Sequence, residues 1–179
     1  DIDVYDGVAR QLAKRSGMRV VSVDYALAPE HPFPAPLNDC IAAIRWAAIQ
    51  GAVWGIDPAR IAVAADSAGA NLALAATIAL RDAGPSPVRG AACIYGCYAP
   101  DLNTESEKAY GGGAYLISAA EMVWYWNHYL ANPADRTNPL AAPLLADLRG
   151  LPPLHITAAE FDPLRNDPRF QSLLRRVGL

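Results

Sequence analysis

The spacing of apolar residues changes period several times along the chain, and each change predicts an element. In VYDGVARQLAKRS (4–16), Val4, Val8 and Leu12 share one helical stripe, and Gly17 is placed to end that helix. MRVVSVDY (18–25) is dense in β-branched residues and predicts a strand. ALAPEHPFPAP (26–36) carries four prolines and reads as an irregular connection. Leu37, Ile41, Ile44 and Ala48 predict a second helix over 37–50. IAVAAD (61–66) is short and apolar, suiting a strand buried on both faces of a parallel sheet. A third helix is predicted over roughly 68–82, and AACIYG (91–96) is a further buried strand. Residues 97–117, with GGG at 111–113, form an excursion out of the sheet. SAAEMVWYWNHYL (118–130) restarts a helix, Ser118 standing as N-cap with Glu121 three residues on. LPPLHITAAEFD (151–162) supplies a fourth strand and DPRFQSLLRRV (167–177) a last helix.

Strand and helix alternate throughout, so the predicted class is α/β: one domain over 1–179, a mostly parallel sheet with helices on both faces. The net charge is −3, with Lys and Arg dispersed, and nothing marks a nucleic-acid or membrane-surface footprint. Charge or proline interrupts the apolar runs before they reach membrane-spanning length. Cys40, Cys93 and Cys97 include no CxxC pair and are expected to be buried, reduced thiols, in keeping with a cytoplasmic location. A homodimer is left open.

The candidate chemistry lies in ADSAGAN (65–71), between the strand at 61–66 and the third helix. A serine hydroxyl is a poor nucleophile without a base to take its proton and donors to hold the resulting oxyanion. A sharp strand-to-helix turn lifts such a hydroxyl out of a sheet, and it requires small residues two places before and two after the serine. Ala65 and Gly69 meet that demand around Ser67, and the Ala68 N–H at the helix start is a candidate oxyanion donor. The same residues allow a plainer reading, in which Ser67 is only a helix N-cap.

VVSVDYALAPEHPFPAPLNDC, GIDPARIAVAADSAGANLALA and LPPLHITAAEFDPLRND together closely resemble the hormone-sensitive-lipase-like carboxylesterases of the α/β-hydrolase superfamily, in the family's order and across essentially the whole chain. The resemblance implies that Ser67 is the nucleophile and Asp162, in FDPLR, the acid that orients a catalytic histidine. It implies support roles for Asp66 and Glu30, and a serine esterase that acts on short-to-medium acyl esters with no cofactor or metal. Residues 97–130, with Tyr98, Tyr110, Tyr115, Trp124, Tyr125 and Trp126, are expected to supply a cap or pocket wall, each single aromatic being equally an ordinary core or surface residue. The chain departs from the family at Ala65, Ala70, Ala26 (where the family has Arg) and Asn166-Asp167-Pro168.

The base is the missing component. His31 lies in the proline-rich connection, His128 on a helix with a partly exposed face, and His155 in a strand, where it is expected to pack against a helix. The hydrolase order is Ser, Asp, His, and no histidine follows Asp162; the HGGG segment that completes the family's oxyanion hole is not among the 179 residues either. By resemblance, the strand leading into HGGG lies between 18–25 and 61–66, so a gap is expected there. The chain is therefore expected to be a piece of a longer esterase that is inactive or nearly so alone. The alternative is a hydrolase-shaped ligand binder, like the plant gibberellin receptor.

Overall fold

The computed structural model describes residues 2–101, 103–158 and Gln171. In chain order its main elements are α1 (Ile2–Ser16), α2 (Ala35–Gln50), β1 (Ile61–Asp66), α3 (Ser67–Asp82), β2 (Val88–Ile94), α4 (Glu105–Tyr110), α5 (Ala119–Tyr129) and β3 (Leu154–Thr157), with short 3-10 turns at Gly51–Trp54, Pro133–Thr137 and Pro143–Leu145. The strands form a parallel sheet in the order β1-β2-β3, with Asp66 opposite Ile94 and Ile94 opposite Thr157.

Helix α3 is the centre of the core. Ala, Leu and Ile surround it on nearly every side, and all of 70–78 together with Leu80 are buried, as expected for a helix apolar all round. On one side Ala70, Leu74 and Ile78 meet Ala91 and Cys93 of β2, Tyr98, Leu144 and Ile156 of β3. On another, Leu72, Ala76 and Leu80 meet Leu37 and Ile44 of α2. A buried Leu or Ile contributes about 1.5–3 kcal/mol by leaving water, so these two contact sets hold α3 against the sheet and α2.

Most predicted elements form within a few residues of their expected bounds. Gly17 ends α1 in the left-handed conformation (φ 69°), and Ser118 and Glu121 close a reciprocal capping box on α5. α4 lies inside the expected excursion, capped by the Thr104 side chain. The other differences have definite causes. Residues 18–25 form no strand ladder, and Met18, Val21 and Val23 are exposed. β-branched residues favour extended backbone, but a strand needs a hydrogen-bonded neighbour, and among the described residues nothing pairs with 18–25 or with the outer edge of β1. The predicted stripe of α1 is likewise uncovered: none of its residues is buried.

β1 is buried on one face rather than both. Ile61, Val63 and Ala65 turn inward, whereas Ala62 and Ala64 are exposed. Cys93 is buried, but Cys40 and Cys97 are only partly so; none of the three is in a disulfide, and burial pushes the Cys40 and Cys93 thiols up to about 11. At Ala26 the backbone N–H bonds Asp39 Oδ2 (2.9 Å), so this loop is held through its main chain. No described helix is long and apolar enough to cross a membrane. The predicted helix at 167–177 and the departure at 166–168 lie outside the described residues, apart from Gln171.

Candidate active site

The carboxyl ends of parallel strands are where α/β sheets place their chemistry, because the following helices open there with unbonded N–H groups. β1 ends at Asp66, and α3 begins at the next residue. Asp66 is extended (φ −124°, ψ 158°) and is the N-cap residue, without a side-chain capping bond. Ser67 then turns into the left-handed region with φ 51°. A residue bearing a Cβ holds that backbone at a cost of roughly 1–3 kcal/mol, and such strain survives only where the surroundings fix it. Ser67 is therefore not the N-cap. It is the first helical residue, half-buried, and its hydroxyl has no hydrogen-bond partner among the described residues.

The small-residue demand is met by mutual contact. A Cβ built on Gly69 would stand 3.3 Å from the Ala65 Cβ, so residues 65 and 69 crowd one another across the turn rather than striking a neighbouring element. The extra methyl of Ala65 is accommodated because position 69 has none. Ala68 is exposed in the first turn of α3, where backbone N–H groups lack intrahelical acceptors. Ala70, in place of a second glycine, is fully buried in the core.

Asp66 supports the turn through its side chain. Its Oδ2 accepts hydrogen bonds from the Tyr5 hydroxyl of α1 (3.1 Å) and from the Tyr95 hydroxyl just beyond β2 (3.0 Å). Each bond to this carboxylate pushes the ionisation of its phenol up. On the other side of Ser67, buried Asn71 donates from Nδ2 to the carbonyls of Cys97 (2.6 Å) and Ala141 (3.2 Å). Sequence reasoning missed Tyr5, Tyr95 and Asn71; it placed Tyr95 inside the strand predicted over 91–96, whereas β2 ends at Ile94.

The other predicted residues are not brought to the turn. Asp162 lies outside the described residues. His31 is exposed, and His128 pairs through Nδ1 with the Trp124 carbonyl (2.8 Å) and lies against that indole with the two rings tilted by 40°. His155 is exposed rather than packed against a helix, because β3 turns Ile156 inward and leaves its neighbours facing out; its Nε2 lies 3.2 Å from Thr157 Oγ1. Glu30 is exposed. Of the aromatics, Tyr98 and Trp126 are core residues, while Tyr115, Trp124 and Tyr125 are about half-exposed. A shallow cavity of about 510 Å³ is lined by Ile78, Arg81, Leu140 and Asp147. It is at the far end of α3, roughly 20 Å from Ser67 at 1.5 Å per residue, and takes no part in the site. Among the described residues no group of His, Cys, Asp and Glu is arranged to hold a metal.

The family model for the α/β-hydrolase fold matches residues 1–175. The chain belongs to the α/β-hydrolase family. This α/β-hydrolase is 40% identical over 182 residues to carboxylesterase NlhH of Mycobacterium tuberculosis, across 99% of this chain and 57% of the relative. It is 40% identical over 185 residues to esterase LipI of the same organism, across 100% of this chain and 57% of the relative. Among solved structures, a hyperthermophilic esterase of the archaeon Pyrobaculum calidifontis superimposes with a TM-score of 0.92 at 41% identity, over 100% of this chain and 58% of the other. The chain thus spans 57% of the length of these two curated relatives.

Proposed function

We propose that the protein to which these residues belong is a serine carboxylic-ester hydrolase with Ser67 as its nucleophile. The observation that carries the reading is Ser67 itself: left-handed at a strand-to-helix turn, and with a hydroxyl that no described residue bonds. A serine kept only for capping would take the Asp66 position and spend its hydroxyl on the helix. Similarity to named carboxylesterases supports the same chemistry.

In this mechanism Ser67 Oγ attacks the ester carbonyl carbon while a histidine takes the hydroxyl proton. The Ala68 N–H stabilises the oxyanion that forms. The carbonyl reforms, the carbon–oxygen bond to the alcohol breaks, and the histidine returns its proton to the departing alkoxide. Water then attacks the acyl-serine with the same base, releasing the carboxylic acid and regenerating Ser67. Asp162 holds the imidazole in orientation. None of His31, His128 and His155 is bonded to Ser67, and the base is assigned to a histidine outside residues 1–179. The substrates are small esters of short-to-medium acyl length, with 97–130 forming part of the pocket wall, and no cofactor or metal enters.

The test is labelling by a fluorophosphonate, with the modified residue located by peptide mass spectrometry. The 179-residue chain is expected to label at Ser67 slowly, faster with added imidazole as a surrogate base, and not at all as Ser67→Ala. Label on another residue, or none with imidazole present, refutes the assignment. Saturable binding of an ester analogue without any label favours the binder instead.

A further inference from the structure

Among the described residues three non-glycines have positive φ: Ser67 (51°), Tyr95 (38°) and Leu116 (85°). Two of these, Ser67 and Tyr95, follow the carboxyl ends of neighbouring parallel strands, and they are joined through one side chain. Asp66 precedes Ser67, and its ladder partner Ile94 precedes Tyr95. The Tyr95 hydroxyl donates back across that step to Asp66 Oδ2 at 3.0 Å. The two strained residues are thus coupled through one side-chain hydrogen bond, from Tyr95 to the residue that leads into Ser67.

The segment that carries Tyr95 is itself held fast. The Tyr95 N–H donates to the Thr157 carbonyl of β3 at 2.7 Å. Gly96 leaves room for the buried ring of Tyr98, whose atoms would stand only 2.3–2.5 Å from a Cβ at that position. Cys97 accepts from Asn71 of α3 at 2.6 Å. Residues 95–97 are therefore bonded at two places to the residues around the turn, Asp66 one residue before Ser67 and Asn71 four residues after. Tyr5 of α1 adds a second phenol to the same carboxylate oxygen.

We infer that residues 95–97 are a strap that positions the Ser67 hydroxyl, with Tyr95 acting through Asp66 as its principal positioning residue and Tyr5 as the secondary one. The inference rests on the assignment of Ser67 as nucleophile and adds residues to that site. Tyr95 touches no reacting atom in this scheme. It fixes the peptide that leads into Ser67, and a displacement of about 1 Å there costs up to 100-fold in rate.

The test compares the native chain with Tyr95→Phe, and with Tyr5→Phe in case the first variant fails to fold. One readout is fluorophosphonate labelling of Ser67 with imidazole present, resolved into the maximal rate and the half-saturating concentration. The other is the amide NMR shifts of Ala68 and Gly69, which need no reactivity. Tyr95→Phe is expected to lower the maximal rate roughly 10-fold or more, to leave half-saturation within about 2-fold, and to move both amides. Tyr5→Phe is expected to do the same to a smaller degree. Unchanged amide shifts with an unchanged labelling rate in both folded variants overturn the strap. If native Ser67 takes no label, the nucleophile assignment fails by itself, and the amide shifts still report on the strap: movement supports it and constancy overturns it.

Discussion

Replacing Ser67 by glycine tests the backbone of the turn without any appeal to activity. At φ 51° a residue with a Cβ bears a cost that glycine does not. That cost is about 1–2 kcal/mol, set against roughly 0.5–1 kcal/mol of extra chain entropy that glycine loses on folding. Ser67→Gly is therefore expected to be more stable than Ser67→Ala by about 0.75 kcal/mol, the centre of a span of roughly 0–1.5 kcal/mol. The sign is diagnostic, because at an ordinary helical position alanine leads glycine by about 1 kcal/mol. Urea unfolding followed by circular dichroism gives the difference directly. In thermal unfolding about 1 kcal/mol moves the midpoint by roughly 2–4 °C for a domain of this size, so the glycine variant should melt about 1–4 °C above the alanine variant. Both variants lack the proposed nucleophile, and neither should take a phosphonate label. A glycine variant less stable than the alanine variant would mean that position 67 is not left-handed, and the argument for a strained nucleophile would fall with it.

Gly96→Ala places a methyl 2.3–2.5 Å from buried Tyr98 and is expected to destabilise by at least about 1–3 kcal/mol, read as a lowered urea midpoint; an unchanged midpoint would refute the packing described over residues 95–98. The bonds from Ser118 hold the Glu121 carboxyl below the usual carboxylate range, so its contribution to α5 is present above the ordinary pKa and is lost as pH falls through the lowered one. Native protein should therefore lose stability between near-neutral and strongly acid pH by more than Glu121→Gln does, and equal losses in thermal melts would remove Glu121 from the account.

How much of this was legible in the sequence follows from the range of the interactions involved. Periodicity located α1, α2 and α5, because helical hydrogen bonds close within four residues and the apolar stripe repeats on the same scale. Ser118 and Glu121 announced their capping box for the same reason. The strand-turn-helix order around Ser67 was local, as was the need for small residues at 65 and 69. The resemblance to α/β-hydrolase esterases was carried by contiguous segments and could be read without coordinates.

Tertiary structure decided everything that depends on a distant partner. MRVVSVDY has the composition of a strand, but a ladder is a pairwise property, and none forms there among the described residues. The exposure of Ala62, Ala64 and His155 depends on which face α3 covers, and no local pattern states that. Whether Ser67 caps the helix or strains the turn is a matter of one dihedral angle, which no local sequence pattern states. The bonds of Tyr5 and Tyr95 to Asp66 span 61 and 29 residues, and only the folded sheet and the helix beside it bring those three side chains together.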